Sequence, residues 1–139
     1  MDYLENIHQR RRRDLCMFIW GNYEKQLTLK DIANALSISE RTCERIIHDR
    51  FHTRLKPLLN AVRFYKTIQN YTHQKNNISQ SALENGFTDR QTFKRWWNRW
   101  VALSFDHQIY DPEIIQENTN SEYNEIIDRI ISCIPDHIK

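Results

Sequence analysis

Apolar residues recur along most of this chain at the three-and-four spacing of an amphipathic helix, and the breaks between such stretches are short. Leu15, Phe18, Ile19 and Tyr23 form one stripe, behind a helix start at Asp14, and Gly21-Asn22 weakens its last turn. Leu29 to Leu36 predicts a short second helix with Thr28 as N-cap and Ile32, Ala33 and Leu36 as its buried edge. After the turn Ser37-Ile38-Ser39, Ser39 caps a third helix from about Glu40 to Arg50. Cys43, Ile46 and Ile47 point inward there, which leaves Arg41, Arg45 and His48 outward. Two short helices split by a brief turn, the second of them basic, make a helix-turn-helix.

Pro57 suits the first turn of the next helix, where a missing N–H costs nothing. Leu58, Leu59, Val62, Tyr65, Ile68 and Tyr71 carry it to about residue 73, a rod of roughly 25 Å. The polar stretch from His73 to Asn77 ends it. The earlier pattern then returns. Ile78 to Asn85 is a short helix with Ala82 and Leu83 inside, closed by Gly86. Phe87-Thr88-Asp89 is the turn, with Asp89 or Thr88 as N-cap, and a helix follows from Arg90 to about Trp100. Ala33 corresponds to Ala82, 49 residues on, and Cys43-x-Arg45-x-Ile47 to Phe93-x-Arg95-x-Trp97, 50 residues on. A repeated two-helix unit says more than either copy alone.

The last stripe runs from Ser121 to Ile134: Tyr123, Ile126, Ile127, Ile130, Ile131 and Ile134, with Glu122, Glu125, Asp128 and Arg129 opposite. The fold class predicted is all-α, two helix-turn-helix subdomains joined by a linker helix, plus an extra C-terminal amphipathic helix. The expected divisions are a basic N-terminal arm (1–13), a domain holding both two-helix units (14–110) and an acidic tail (111–139). Within the domain, the two units fall at about 29–50 and 78–101 and the linker helix at about 57–73.

Composition narrows the class further. No apolar run approaches the roughly 18–20 residues of a membrane span, and no secretion signal is evident, so a cytoplasmic protein is expected. Two glycines argue against Gly-rich phosphate loops, and three distant cysteines (Cys16, Cys43, Cys133) fit unpaired thiols. The net charge of +2 hides an asymmetry. Residues 1–102 hold 18 Lys/Arg against 10 Asp/Glu, whereas residues 103–139 hold 2 against 8. A basic body of this kind suits a polyanion, or is an ordinary solvated surface.

The chain resembles the C-terminal DNA-binding domain of the AraC/XylS family of bacterial transcription regulators. The residues that carry the likeness are Leu27-Thr28-Leu29-Lys30-Asp31-Ile32-Ala33, Ser39 to Ile47, and Leu59-Asn60-Ala61-Val62-Arg63-Phe64. The second half adds Ile78-x3-Ala82-x3-Gly86-Phe87 and Thr92-Phe93-Lys94-Arg95-Trp96-Trp97. Some positions depart from the pattern. Ser37 stands where the family usually has Gly, and Phe51-His52 where it has Thr-Gly. Ala102 and Phe105 replace the Gly and Pro after the second unit, and Tyr110 lies near the place of a closing Tyr-Arg pair. The resemblance implies a single-domain member controlled by its abundance, with no effector-binding domain before the match, read as an activator.

DNA reading needs multi-donor side chains on the exposed N-terminal half of a groove-inserted helix. Arg41, Thr42 and Arg45 fit in the first unit, and Arg90, Gln91, Thr92, Lys94 and Arg95 in the second. Arg10, Arg11, Arg12 and Arg13, with Arg63, are candidate phosphate contacts, and a solvated tail is the plainer reading of the first four. Trp96, Trp97 and Trp100 suit either stacking on bases or the core beneath the reading surface, with core favoured by their spacing. His48 and His52 lack the further ligands a metal needs, and no catalytic constellation is present. No cofactor is expected. The Tyr123/Ile126/Ile127/Ile130/Ile131/Ile134 stripe must be buried, on this domain or on a partner such as RNA polymerase, another regulator or a second copy. Two functions follow: a double-stranded DNA-binding regulator, a monomer on DNA, or an interaction module that binds another regulator through that stripe.

Overall fold

The computed structural model describes residues 3–71, 77–105 and 111–139, and eight helices occupy most of them. They are α1 (Tyr3–Asn22), α2 (Leu29–Leu36), α3 (Glu40–Phe51), α4 (Leu55–Asn70), α5 (Ile78–Glu84), α6 (Arg90–Trp100), α7 (Pro112–Glu117) and α8 (Ser121–Ile131). Among the described residues there is no strand or sheet, only an isolated bridge between Val101 and Thr119. The all-α expectation holds, with both two-helix units in place. Tyr110 and the break expected from His73 lie largely outside the described residues.

The two units are built alike down to their caps. Thr28 opens α2 with a capping box: its Oγ1 accepts from Asp31 N at 3.1 Å, and Thr28 N donates to the Asp31 carboxylate at 2.9 Å. Asn77 opens α5 by accepting from Gln80 N at 2.8 Å. Both helices close in the same way. Ile38 N donates to Ala33 O at 3.0 Å and Ser37 N to Asn34 O at 3.3 Å; Phe87 N donates to Ala82 O at 3.1 Å and Gly86 N to Leu83 O at 3.3 Å. This closure needs a left-handed residue, and Gly86 supplies it at φ 103°. In the first unit Ser37 takes the left-handed region at φ 55°, as does His52 after α3. Both departures from glycine therefore keep the backbone geometry, at the steric cost that a Cβ brings there.

Two helix starts differ from expectation. Pro57 is the third residue of α4, which begins at Leu55; an N–H in that first turn has no intrahelical partner, so proline is tolerated as well there. α1 begins at Tyr3 instead of Asp14. Residues 3 to 20 contain no Gly or Pro, so a helix nucleated by the packed end propagates through the arginine run. The basic arm is thus the first half of α1.

The core is continuous across both units. Leu15, Cys16, Ile19 and Trp20 of α1 pack with Ile32, Ala33, Cys43 and Ile47 of the first unit. α4 carries this core into the second unit, where Phe64 is the centre of an aromatic cluster. Its ring lies 5.4 Å from Phe93, 6.1 Å from Trp97, 5.8 Å from Trp100 and 5.5 Å from Tyr123. Trp97 is core, its indole N–H donating to Leu103 O at 2.7 Å, and Phe105 packs on Phe93 and Trp97.

α8 completes this core, and that corrects the reading of its stripe as a partner surface. Tyr123, Ile126, Ile127, Ile130 and Ile134 are buried and Ile131 is half-buried, because α8 packs on α3 and α4. The stripe had a covering surface within the chain, on the sides of α3 and α4 that face α8. Its start is tied down as well. Glu122 accepts from Arg99 through both oxygens, at 2.7 and 2.9 Å, and from the Trp100 indole at 2.6 Å. The Arg99 hydrogen bond, more than the partial burial, sets the Glu122 carboxyl below its ordinary pKa. The acidic tail thus spends part of its charge on the basic body.

Five buried apolar side chains contribute about 1.5–3 kcal/mol each, comparable to the whole stability of a small domain. Deleting residues 116–139 is therefore expected to abolish the cooperative thermal transition. A truncated chain that melts like the full one would show that α8 is not part of the core.

Candidate nucleic-acid interface

α3 and α6, the second helices of the two units, are capped by equivalent contacts. In α3, the Ser39 hydroxyl accepts from Thr42 N at 3.0 Å and donates to Thr42 Oγ1 at 2.9 Å. In α6, Asp89 Oδ1 accepts from Thr92 N at 2.7 Å, and Arg95 Nη2 donates to Thr92 Oγ1 at 3.2 Å. The Thr92 backbone N–H, then its hydroxyl, holds the Asp89 carboxyl below the usual range, with Arg95 adding to the effect. A carboxylate with a depressed pKa stabilises the fold above its unfolded value and loses that contribution as pH falls through the folded one. The α6 cap is thus charged at neutral pH.

Behind the caps, Cys43 and Ile47 anchor α3, and Phe93, Trp96, Trp97 and Trp100 anchor α6. The opposite faces are polar and exposed, presenting Arg41 and Arg45 on one helix and Arg90, Gln91, Lys94 and Arg95 on the other. A cleft of about 500 Å³ lies between the units, bordered by Glu44 of α3, Arg54 and Lys56 at the start of α4, and Thr92 and Arg95 of α6. Both helices therefore edge one concavity. On the other flank of α3, a groove of about 300 Å³ is lined by His8, Arg11 and Arg12 of α1 and Thr42, Arg45, Asp49, Arg50 and Arg129. The surface is a band of guanidinium groups from α1 across α3 to α6. Among the described residues no three His, Cys, Asp or Glu meet as a metal site requires. No helix among them is long and apolar enough to cross a membrane.

The family model described as a helix-turn-helix domain matches residues 32–107, more than half of the chain. The chain belongs to the AraC-type helix-turn-helix family. No curated protein and no solved structure matches it. As a member of this family, it is a DNA-binding transcription regulator, and the family is a regulatory one and not an enzyme family.

In this AraC-type domain the structure gathers most of the residues singled out by sequence. Arg41, Arg45, Arg90, Gln91, Lys94 and Arg95 are exposed on α3 and α6, and Thr42 and Thr92 are half-buried beside their caps. Arg11 and Arg12 turn toward α3. Arg10 and Arg13 are exposed elsewhere around α1, since consecutive helical residues point about 100° apart. Sequence reading missed Arg54 and Lys56 in the cleft and Arg50 and Arg129 in the groove. Arg54 and Lys56 stand at the start of α4, where the helix dipole disfavours cations, a local conflict that could have marked them in sequence; Arg129 needed the docking of α8.

Arg63 is a correction. It is 6% exposed, and its fork is spent inside the protein. Nε donates to Tyr23 O at 2.8 Å, Nη1 to Asn60 Oδ1 at 3.0 Å and Nη2 to Lys25 O at 2.7 Å. Burial pushes its pKa down to about 10, still cationic at neutral pH. Arg63 reaches the floor of the cleft between the units, but these bonds hold its guanidinium inward and make it a structural cation first. Arg63 ties the end of α1 to α4, and each hydrogen bond from a charged group contributes about 1.5–3 kcal/mol. Arg63→Met is expected to cost about 3 kcal/mol or more of stability in denaturant melts, while leaving the salt dependence of DNA binding unchanged. A fully stable variant with a shallower salt slope would restore the phosphate reading.

Proposed function

We propose that this regulator reads double-stranded DNA as a monomer, by inserting α3 and α6 into successive major grooves on one face of the duplex, and that it acts as an activator. The observation that carries this reading is the shared cleft: equivalent, equally capped helices edge one concavity, with multi-donor side chains outward on both. Arg45 and Arg95 occupy equivalent positions in the two units, and each can grip a guanine O6/N7 edge through two hydrogen bonds. Gln91 suits an adenine edge, and Arg41 and Arg90 the flanking bases or phosphates. Arg11, Arg12, Arg54 and Lys56 lie beside the reading helices, where backbone phosphates would run. Activation fits the exposed acidic positions of the C-terminal segment, Glu113, Glu117, Glu125 and Asp128, which line none of these clefts and remain open to polymerase.

The alternative, an interaction module with a degenerate helix-turn-helix that binds another regulator through its Ile-rich stripe, is the less supported reading, because α3 and α4 cover that stripe. A dimer through the same stripe loses its support for the same reason.

The proposal has a two-part test on a selected binding site. Affinity is expected to fall with salt by about 0.9 log units per log unit for each phosphate neutralised, and Arg11→Ala with Arg12→Ala to flatten that slope with little change in sequence preference. Arg45→Ala and Arg95→Ala are each expected to cost about 1–3 kcal/mol on the specific site and much less on random DNA. Folded variants that keep full discrimination, or binding insensitive to salt between 50 and 200 mM, would overturn it.

A further inference from the structure

The groove on the flank of α3 is lined by five guanidinium groups and one carboxylate. The cations are Arg11 and Arg12 of α1, Arg45 and Arg50 of α3, and Arg129 of α8; the carboxylate is Asp49. Arg11, Arg12 and Arg129 fall outside residues 32–107, so the groove is not part of the repeated helix-turn-helix pattern. Two of its cations are fixed from behind. Arg50 Nη2 donates to Ser132 Oγ at 2.6 Å and to Arg129 O at 3.0 Å, and Arg129 Nη1 donates to Arg50 O at 3.3 Å. All three acceptors are neutral oxygens, which orient the two guanidiniums without cancelling their charge. Arg50 Nε is buried and has no acceptor. Arg12 is half-buried, whereas Arg45 is exposed. Asp49 is exposed as well, 3.7 Å from His48 Nδ1, and one carboxylate offsets at most one of the five charges.

We propose that this groove is a binding site for a free oligophosphate, a small anion of two or more linked phosphate groups, held by Arg12, Arg45, Arg50 and Arg129. Charge, size and preorganisation support it. Like charges gathered in a groove with low-dielectric walls concentrate anions there. Five guanidiniums against one carboxylate, with His8 neutral, leave an excess of four positive charges. A phosphate monoester carries about −1.5 to −2 at neutral pH, so two linked groups match most of that excess, which a single carboxylate leaves uncovered. The volume of about 300 Å³ equals that of about ten waters, enough for a diphosphate or triphosphate chain. Guanidinium forks grip phosphate oxygens in pairs. Two forks already fixed from behind lose little freedom on binding.

The DNA backbone presents the same phosphate chemistry and is the competing source. A duplex strand carries one charge per phosphate, spread along its length. Arg50 and Arg129, by contrast, are bonded to each other's carbonyls, so their charges meet at one place. That compact charge favours the oligophosphate. Arg45 belongs to two surfaces, because it borders this groove and stands on the outward face of α3 proposed to read DNA. A bound oligophosphate therefore competes with DNA for Arg45. That consequence rests on the proposed function, and the binding itself does not.

The test is calorimetric titration of the full chain, without DNA, with inorganic pyrophosphate and tripolyphosphate at constant ionic strength. One saturable site per chain is expected, with tripolyphosphate the tighter ligand and sulfate at least tenfold weaker than either. Arg129→Gln is expected to weaken both at least tenfold. Because that change also loosens the turn after α8, the deciding variant is Arg12→Gln, which removes a charge and none of the bonds around Arg50. It is expected to weaken both ligands at least tenfold too. Lys30→Gln, an equal change of charge at an exposed position of α2, should alter binding less than twofold. In a second arm, pyrophosphate should release the wild-type chain from a selected duplex at a lower concentration than it releases Arg12→Gln. If no duplex is bound while pyrophosphate still saturates one site, the proposed function fails and this site stands. Association that never saturates, or that Lys30→Gln weakens as much as Arg12→Gln, overturns the proposal. So does a groove whose arginines affect duplex affinity alone, since that result assigns it to the DNA backbone.

Discussion

The arrangement of the whole molecule depends on one buried cation. Arg63 sits mid-way along α4 and spends its fork on Tyr23 O, Lys25 O and Asn60 Oδ1. Removing a guanidinium from water costs several kcal/mol, and only a complete set of acceptors offsets that cost. Two of those acceptors come from the turn that follows α1 and the third from α4 itself, so α4 and the end of α1 hold together in one geometry. The second unit is drawn into the same place. A Cβ on Gly86 would meet Glu24 Cα at 2.9 Å and Arg63 Nε at 3.0 Å, so the turn after α5 approaches as closely as glycine permits. Gln26 donates to Gly86 O at 3.0 Å and the Tyr23 hydroxyl to Asn85 Oδ1 at 3.3 Å, closing the junction. The next residue, Phe64, faces the other way and organises Phe93, Trp97, Trp100 and Tyr123. Two adjacent residues of one helix thus fix both units.

This explains why the chain forms one body and not two small ones. A two-helix unit of about twenty residues buries too little apolar surface to fold alone. Through α4, the units share one core, and α8 closes it on the side of α3 and α4. The clefts along the reading surface are therefore bordered by elements that the core holds in place. A monomer with two such helices reads an asymmetric site, on the function proposed above, and its spacing is a property of the fold.

Much of this was legible in the sequence, and the rest was not for physical reasons. Local signals wrote themselves plainly: the Ser39 and Asp89 caps, the Gly86 closure, and the repeat that sets Arg45 against Arg95. Apolar spacing also placed Trp97 in the core. Signals that depend on a distant partner were not visible. Arg63 reads in sequence as one more cation, because two of its three acceptors are backbone carbonyls, of Tyr23 and Lys25, far back in the chain with no side-chain signature. The isoleucine stripe of α8 announces burial but not against what, and the surface it covers is assembled from α3 and α4. The arginine run looked like a mobile arm because polar helices lack periodicity, although the packed end of α1 makes it helical.

On the proposed function, the junction at Arg63 holds α3 and α6 at one fixed separation. Its most direct test is the affinity for DNA in which the two half-sites are moved apart. Half-sites centred about 10–10.5 base pairs apart, one helical turn, are expected to bind best. Inserting about five base pairs should abolish specific binding, and inserting about ten, which restores the helical face but not the distance, should fail to recover it. Recovery at about ten, or indifference to either insertion, would mean that the units move independently and would contradict the account.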